Sequence, residues 1–158
     1  MDYFIRPINK TEYPILEDFL YQAVFIPEGI KPPPKHIIEE DELYLYIKDF
    51  GQFPDDRCLV AVVDNEIVGA VWTRIMNDYG HIDDDTPSFA ISLYKEYRGK
   101  GVGTELMKRM LEVLSDAGYK RASLSVQKAN YAVDMYRKVG FEVIDQTEEE
   151  YIMVYNFR

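Results

Sequence analysis

Apolar residues recur along this chain at two periods, and the switches between them mark its elements. Tyr3-Phe4-Ile5-Arg6-Pro7 reads as a short first strand, with Pro7 placing it at an edge or ending it. Thr11 and Glu12 open a helix whose Ile15, Leu16, Phe19, Leu20 and Ala23 share one face. Pro14 falls in its first turn, where the missing N–H costs little. Phe25 to Lys35 is a loop, because Pro27, Gly29 and Pro32-Pro33-Pro34 break regular structure. The spacing of Ile37, Leu43, Tyr44 and Ile47 predicts a second helix from about His36 to Phe50.

From Arg57 the period becomes two. Cys58 to Val63 and Glu66 to Ile75 read as strands joined by a tight turn at Asp64-Asn65. Gly69 marks a bulge or a close approach within the second of them. Residues 77–87 form a polar loop, followed by a strand from Phe89 to Leu93. A helix starting at Gly103 or Thr104 carries the stripe Val102, Leu106, Met110 and Leu114, with Met107 and Leu111 beside it, and ends at Gly118. Ala122 to Val126 is a strand and Asn130 to Lys138 a shorter helix that stops at Gly140. Phe141 to Asp145 and Tyr151 to Phe157 close the chain as a strand pair.

A helix between two successive strands is a crossover, which makes the Phe89 and Ala122 strands parallel. The earlier hairpin is antiparallel. The expected fold is therefore α/β (α+β): a mixed, mostly antiparallel sheet of about seven strands with helices on both faces, in a single domain spanning residues 1–158.

Composition narrows the partners. With 158 residues and 47% hydrophobic content, a packed core is expected. No apolar run has the length of a membrane span, and the N-terminus lacks a signal-peptide pattern. The net charge of -10 argues against nucleic-acid or anionic-membrane binding and favours a cationic ligand such as an amine, although solubility alone accounts for such a charge. A single cysteine, Cys58, excludes an internal disulfide and fits a reducing cytoplasm.

The chemistry concentrates in Arg98-Gly99-Lys100-Gly101-Val102-Gly103, between a strand and a helix. Glycines let the backbone present its N–H groups closely, and a helix start adds unpaired N–H groups and partial positive charge. Strand, glycine loop and helix start form a site for a phosphate or pyrophosphate. A Walker loop would need Ser or Thr after Lys100, where Gly101 stands; a Rossmann fingerprint would need glycine at Leu106.

Arg98, Gly101 and Gly103 instead fill the fixed positions of Arg/Gln-x-x-Gly-x-Gly/Ala, and the string resembles the pyrophosphate loop of the GNAT superfamily of acyl-CoA-dependent N-acyltransferases. A second string, from Asn130 through Tyr136 to Gly140-Phe141, resembles the superfamily's downstream pattern. The resemblance covers about Arg57 to Arg158; the N-terminal part matches in element order only. It implies acetyl-CoA as acyl donor, with the pyrophosphate on the N–H groups of residues 99–104, including Val102 and Thr104. The pantetheine arm would pair like a strand with Ile91, Ser92 and Leu93, in a gap splayed open toward the Ala122 strand. Arg98 and Lys100 would add mobile positive charge, and Asn130 would fix the arm or a loop, or simply cap its helix. Tyr136 would protonate the departing CoA sulfur as general acid, a core aromatic being the alternative.

The base is less defined. Asp85, just upstream of the Phe89 strand, is the candidate, with Asp83, Asp84 and Glu96 as rivals, and a solvated acidic loop is the plainer reading. His81 with Asp83 and Asp85 gives no second ligand cluster, so no metal is expected. His36 reads as a surface or helix-start residue and Cys58 as core. Trp72, Tyr44, Tyr46 and Tyr79 read as core or as the lining of a substrate pocket. The implied function is acetyl transfer to a primary amine of a small molecule or peptide by direct attack. A non-catalytic acyl-CoA sensor and a structural α/β domain are the alternatives. The acceptor, the acyl length and the oligomeric state stay open, with a homodimer allowed.

Overall fold

The computed structural model describes residues 1–78 and 80–158; Tyr79, one of the aromatic pocket candidates, lies outside the described residues. Its strands are β1 (Phe4–Pro7), β2 (Arg57–Val63), β3 (Glu66–Arg74), β4 (Ser88–Leu93), β5 (Arg121–Gln127), β6 (Glu142–Gln146) and β7 (Glu150–Asn156). Its α-helices are α1 (Leu16–Ala23), α2 (Asp41–Tyr44), α3 (Val102–Asp116) and α4 (Ala132–Val139). The strands form one sheet in the order β1-β2-β3-β4-β5-β7-β6. All neighbours pair antiparallel except β4 and β5, which run parallel. The mixed sheet and its crossover are thus as the periodicity predicts.

Alternation along β2 divides the core. Cys58, Val60 and Val62 face one layer with Leu16, Phe19 and Leu20 of α1. Leu59, Ala61 and Val63 face the other with Leu106, Met110 and Leu114 of α3. Side chains two apart share a face of a strand, so one sheet serves two helical layers. The ladder shifts between Ala61 and Val62, whose partners are Gly69 and Ile67, so Val68 is the extra residue of a bulge. Gly69 is also a close approach: a Cβ there would stand 2.1 Å from Leu93 Cδ2.

The second predicted helix is not continuous. A 3₁₀ turn at Lys35–Glu39 gives way to the single turn of α2, and irregular turns follow to Phe50. Carbonyls that a long helix would use internally are taken by side chains of β3. Trp72 Nε1 donates to the Tyr46 carbonyl at 3.0 Å, and Arg74 Nη1 to those of Leu45 and Lys48 at 3.1 and 2.8 Å. Tertiary hydrogen bonds have overridden the helical pattern. The first predicted helix likewise opens as a 3₁₀ turn, Lys10–Ile15, whose start is held by Glu12 accepting from the Asn9 N–H at 2.8 Å.

Arg74 is buried and forms a two-point pair with Asp56, at 3.0 and 2.8 Å. Both side chains are nearly inaccessible, at 3% and 1%. Removing one member leaves the other charged and unpaired in the interior. Arg74→Met should therefore lower unfolding stability by roughly 3–5 kcal/mol in urea titration. The double change Arg74→Met with Asp56→Leu should lose much less than the single one.

Candidate active site

Strands β4 and β5 touch at one register position, Ser88 with Ser123, where the Ser123 N–H donates to the Pro87 carbonyl at 2.9 Å. Beyond it β4 runs on to Leu93 and β5 to Gln127 without further pairing, while β4 stays paired with β3 as far as Leu93. The two strands thus part along about 16 Å of β4, at ~3.3 Å per residue. The Tyr94 N–H donates to the Val68 carbonyl at 2.9 Å. Alternation in an antiparallel ladder then turns the backbone of Ser92 toward β3 and that of Ile91 and Leu93 toward the gap. The Ser92 hydroxyl also faces away, donating to the Phe19 carbonyl of α1 at 2.6 Å.

The chain then enters the glycine loop, with Gly99 and Gly101 at φ +75° and +85° and open space around both. Other residues rarely adopt this backbone, and here it turns successive N–H groups outward. Among the described residues no hydrogen bond uses the N–H groups of residues 99–104; the Glu105 N–H is the first engaged, to the Gly101 carbonyl at 3.2 Å. They lie at the positive end of α3, a 15-residue helix. Gly103 faces β4 and α4: a Cβ there would lie at ordinary contact distance, 3.5 Å from Leu93 Cδ1 and 3.7 Å from Met135 Sδ. Lys100 is exposed beside the loop.

Arg98 is anchored rather than mobile. Its Nε donates to the Leu93 carbonyl at 3.0 Å, and its Nη2 to the side-chain and main-chain oxygens of Gln22 at 3.1 and 3.3 Å. It ties the loop entrance to the end of β4 and to α1.

Tyr136 is buried on α4, against Phe141 at a ring separation of 6.2 Å; Phe141 in turn meets Phe89 of β4 edge-on at 5.7 Å. Gly140, at φ +125°, ends α4, and the Gly140 and Phe141 N–H groups both donate to the Tyr136 carbonyl. The phenol hydroxyl forms no hydrogen bond with another described residue, and burial raises its pKa. It stays protonated at neutral pH and can donate.

Other candidates lie elsewhere. The Asn130 side chain accepts from the Ala132 N–H at 2.9 Å, which closes a side-chain turn immediately ahead of α4. Asp85 is exposed in the loop before β4, its N–H donating to Asp83 at 2.9 Å. Asp83 pairs with Arg121 and Thr86, and their hydrogen bonds, that of Thr86 foremost, lower its pKa. His81 lies 2.8 Å from the Met76 carbonyl and 3.6 Å from Asp84. No group of three or more His, Cys, Asp or Glu among the described residues could hold a metal. Cys58 is buried in the α1 layer, which raises its thiol pKa, and Trp72 is core. No helix among the described residues is long and apolar enough to cross a membrane.

Two features take shape only in the fold. One is a cavity of about 690 Å³ between α1, the 3₁₀ turn at 35–39 and Tyr94, lined by Glu17, Asp18, Glu39, Tyr21 and Tyr44, with Lys35 and His36 at its wall. The other is Asp78, which accepts hydrogen bonds from Tyr46 and Ser88 at 3.0 and 3.1 Å. Asp78 stands among other acids of a polar loop, and only contacts distant in sequence set it apart.

A model of the acetyltransferase (GNAT) family matches residues 20–141. An uncharacterized N-acetyltransferase, YobR, of Bacillus subtilis is 29% identical over 133 residues, covering 83% of this chain and 46% of that protein. An acetyltransferase of Pectobacterium atrosepticum is 34% identical over 92 residues, 57% of this chain and 60% of that one. The chain therefore spans about half the length of these curated relatives. Among solved structures, PaiA N-acetyltransferase of Thermoplasma acidophilum in complex with coenzyme A shares the fold, with TM-score 0.70 and 19% identity over 99% of this chain and 100% of that one.

If Arg98 is what binds the loop to the sheet, Arg98→Ala should speed amide hydrogen exchange across residues 98–105. It should also lower stability by about 1–3 kcal/mol. Unchanged exchange there would show that the loop holds its shape without the guanidinium.

Proposed function

The chain belongs to the acetyltransferase (GNAT) family, and on that premise we propose that it transfers an acetyl group from acetyl-CoA to a primary amine. The observation that carries the reading is the row of unengaged N–H groups at residues 99–104 beside the opening between β4 and β5. A diphosphate needs converging donors and positive potential, and the glycine loop at the head of α3 supplies both. An extended pantetheine arm carries amides that pair with strand backbone, and Ile91 and Leu93 turn theirs into the gap. The relatives' names and the coenzyme A bound by the Thermoplasma enzyme point the same way.

Bound there, acetyl-CoA supplies an activated thioester. The residues of this chain supply alignment, which contributes several kcal/mol of the barrier in such reactions. The Ile91 and Leu93 N–H groups, turned into the gap, are donors to the carbonyls of the arm along β4. Tyr136 acts as general acid toward the sulfur, its buried phenol holding the proton until a thiolate develops. The acceptor is a positively charged amine of a small molecule or peptide. The cavity beside α1, with its three carboxylates and tyrosines against one lysine, suits such a cation.

Titration calorimetry should show acetyl-CoA binding that coenzyme A competes away, and an amine panel should release free coenzyme A with an acetylated product by mass. Tyr136→Phe should cut kcat by about 10²–10⁴-fold and leave acetyl-CoA affinity nearly intact. Binding without turnover on any amine would make the protein an acyl-CoA sensor. No binding at all would reduce the glycine loop to a turn.

A further inference from the structure

Where β4 and β5 part, on the face covered by α1 and α2, a carboxylate sits in a network of neutral donors. Asp78 Oδ1 accepts from the Ser88 hydroxyl at 3.1 Å, and Oδ2 from the Tyr46 phenol at 3.0 Å. Ser88 Oγ lies 3.4 Å from Ser123 Oγ, and Ser123 in turn donates to the Gly80 carbonyl at 3.0 Å. Ser88 and Ser123 are the paired residues at the apex of the gap, so the network is fixed to that apex. Among the described residues Asp78 forms no ion pair with Lys or Arg. A half-buried carboxylate held by hydroxyls and met by no cation is prepared for a cation that arrives from outside.

We propose, on the acetyltransferase reading above, that Asp78 is the proton acceptor for the incoming amine, and that the amine reaches the acyl carbon across the face of α1 and α2. Asp78 takes one proton from the ammonium. The freed nitrogen lone pair forms the C–N bond, and the C–S bond breaks with its electron pair on sulfur. Tyr136 gives its phenol proton to that sulfur. The nitrogen's second proton returns to Tyr136 through water, and Asp78 releases its proton to solvent, one per turnover.

Burial raises the Asp78 pKa, opposed by hydrogen bonds from Tyr46, Ser88 and the Gly80 N–H. A stronger base is better matched to an amine. Among the described residues the titratable groups facing this site are Tyr46 itself and, from β7, Glu150, whose charge acts on Tyr46. Tyr46 is a positioning residue. Removing its hydrogen bond disfavours the charged carboxylate, so the Asp78 pKa rises further.

The test compares wild type, Asp78→Asn, Tyr46→Phe and Asp85→Asn on two acceptors: an alkylamine, charged at pH 7, and an arylamine, already neutral there. Acetyl-CoA affinity is measured by calorimetry and folding by circular dichroism. Asp78→Asn should lose about 10²-fold or more in kcat/KM for the alkylamine and far less for the arylamine, with acetyl-CoA affinity unchanged. Tyr46→Phe keeps the carboxylate and carries the test independently: the acidic limb of its kcat profile should move to higher pH. Equal losses of Asp78→Asn on both amines, an unmoved limb in Tyr46→Phe, or an alkylamine-specific loss in Asp85→Asn instead would overturn the assignment. A wild type active on the alkylamine with Asp78→Asn equal to it would overturn only this assignment. A wild type that acetylates neither amine would overturn the acetyltransferase reading and this inference with it.

Discussion

The structure depends on two parallel strands that pair at one position and then separate. Ser88 and Ser123 hold β4 and β5 together at the apex, and from there the gap-facing backbone of β4 pairs with no strand among the described residues, the Leu93 carbonyl alone being met by Arg98. Unpaired strand backbone is costly when buried, and native proteins do not leave it so without a use. The free N–H groups of the glycine loop continue the same edge around the corner into α3. Strand edge, loop and helix start together form one continuous line of donors.

The remainder of the fold keeps that line open. Leu93, next to the gap, is lodged against Gly69 of β3, where a Cβ would collide with it, and so the missing Cβ of Gly69 fixes the strand end. Arg98 fastens the loop entrance to the Leu93 carbonyl and to Gln22 of α1. The pairing of Arg74 with Asp56 pins the irregular segment after α2 to β3, and that same segment carries Tyr46 to Asp78. A helix uncoiled by tertiary hydrogen bonds is thus what places a phenol at the apex of the gap.

Local patterns made the sheet, the crossover and the glycine loop legible in the sequence. Alternation in β2, the stripe of α3 and the glycines at 99, 101 and 103 each act within a few residues of themselves. The segment from His36 to Phe50 was not legible, because its carbonyls answer to Trp72 and Arg74, more than twenty residues away. Arg98 read as free charge, since its partners Gln22 and Leu93 meet it only in the folded chain. Asp85 and Asp78 look alike in a run of acids; burial by Tyr46 and Ser88 separates them, and burial is a property of the whole fold.

The central claim is that the backbone amides between β4 and α3 grip the diphosphate of acetyl-CoA. Amide proton and nitrogen shifts followed by NMR through a titration with acetyl-CoA test it most directly. The account predicts that the largest saturable shifts fall on residues 99–104 and on Ile91 and Leu93. Saturable binding that leaves those amides unmoved would contradict it.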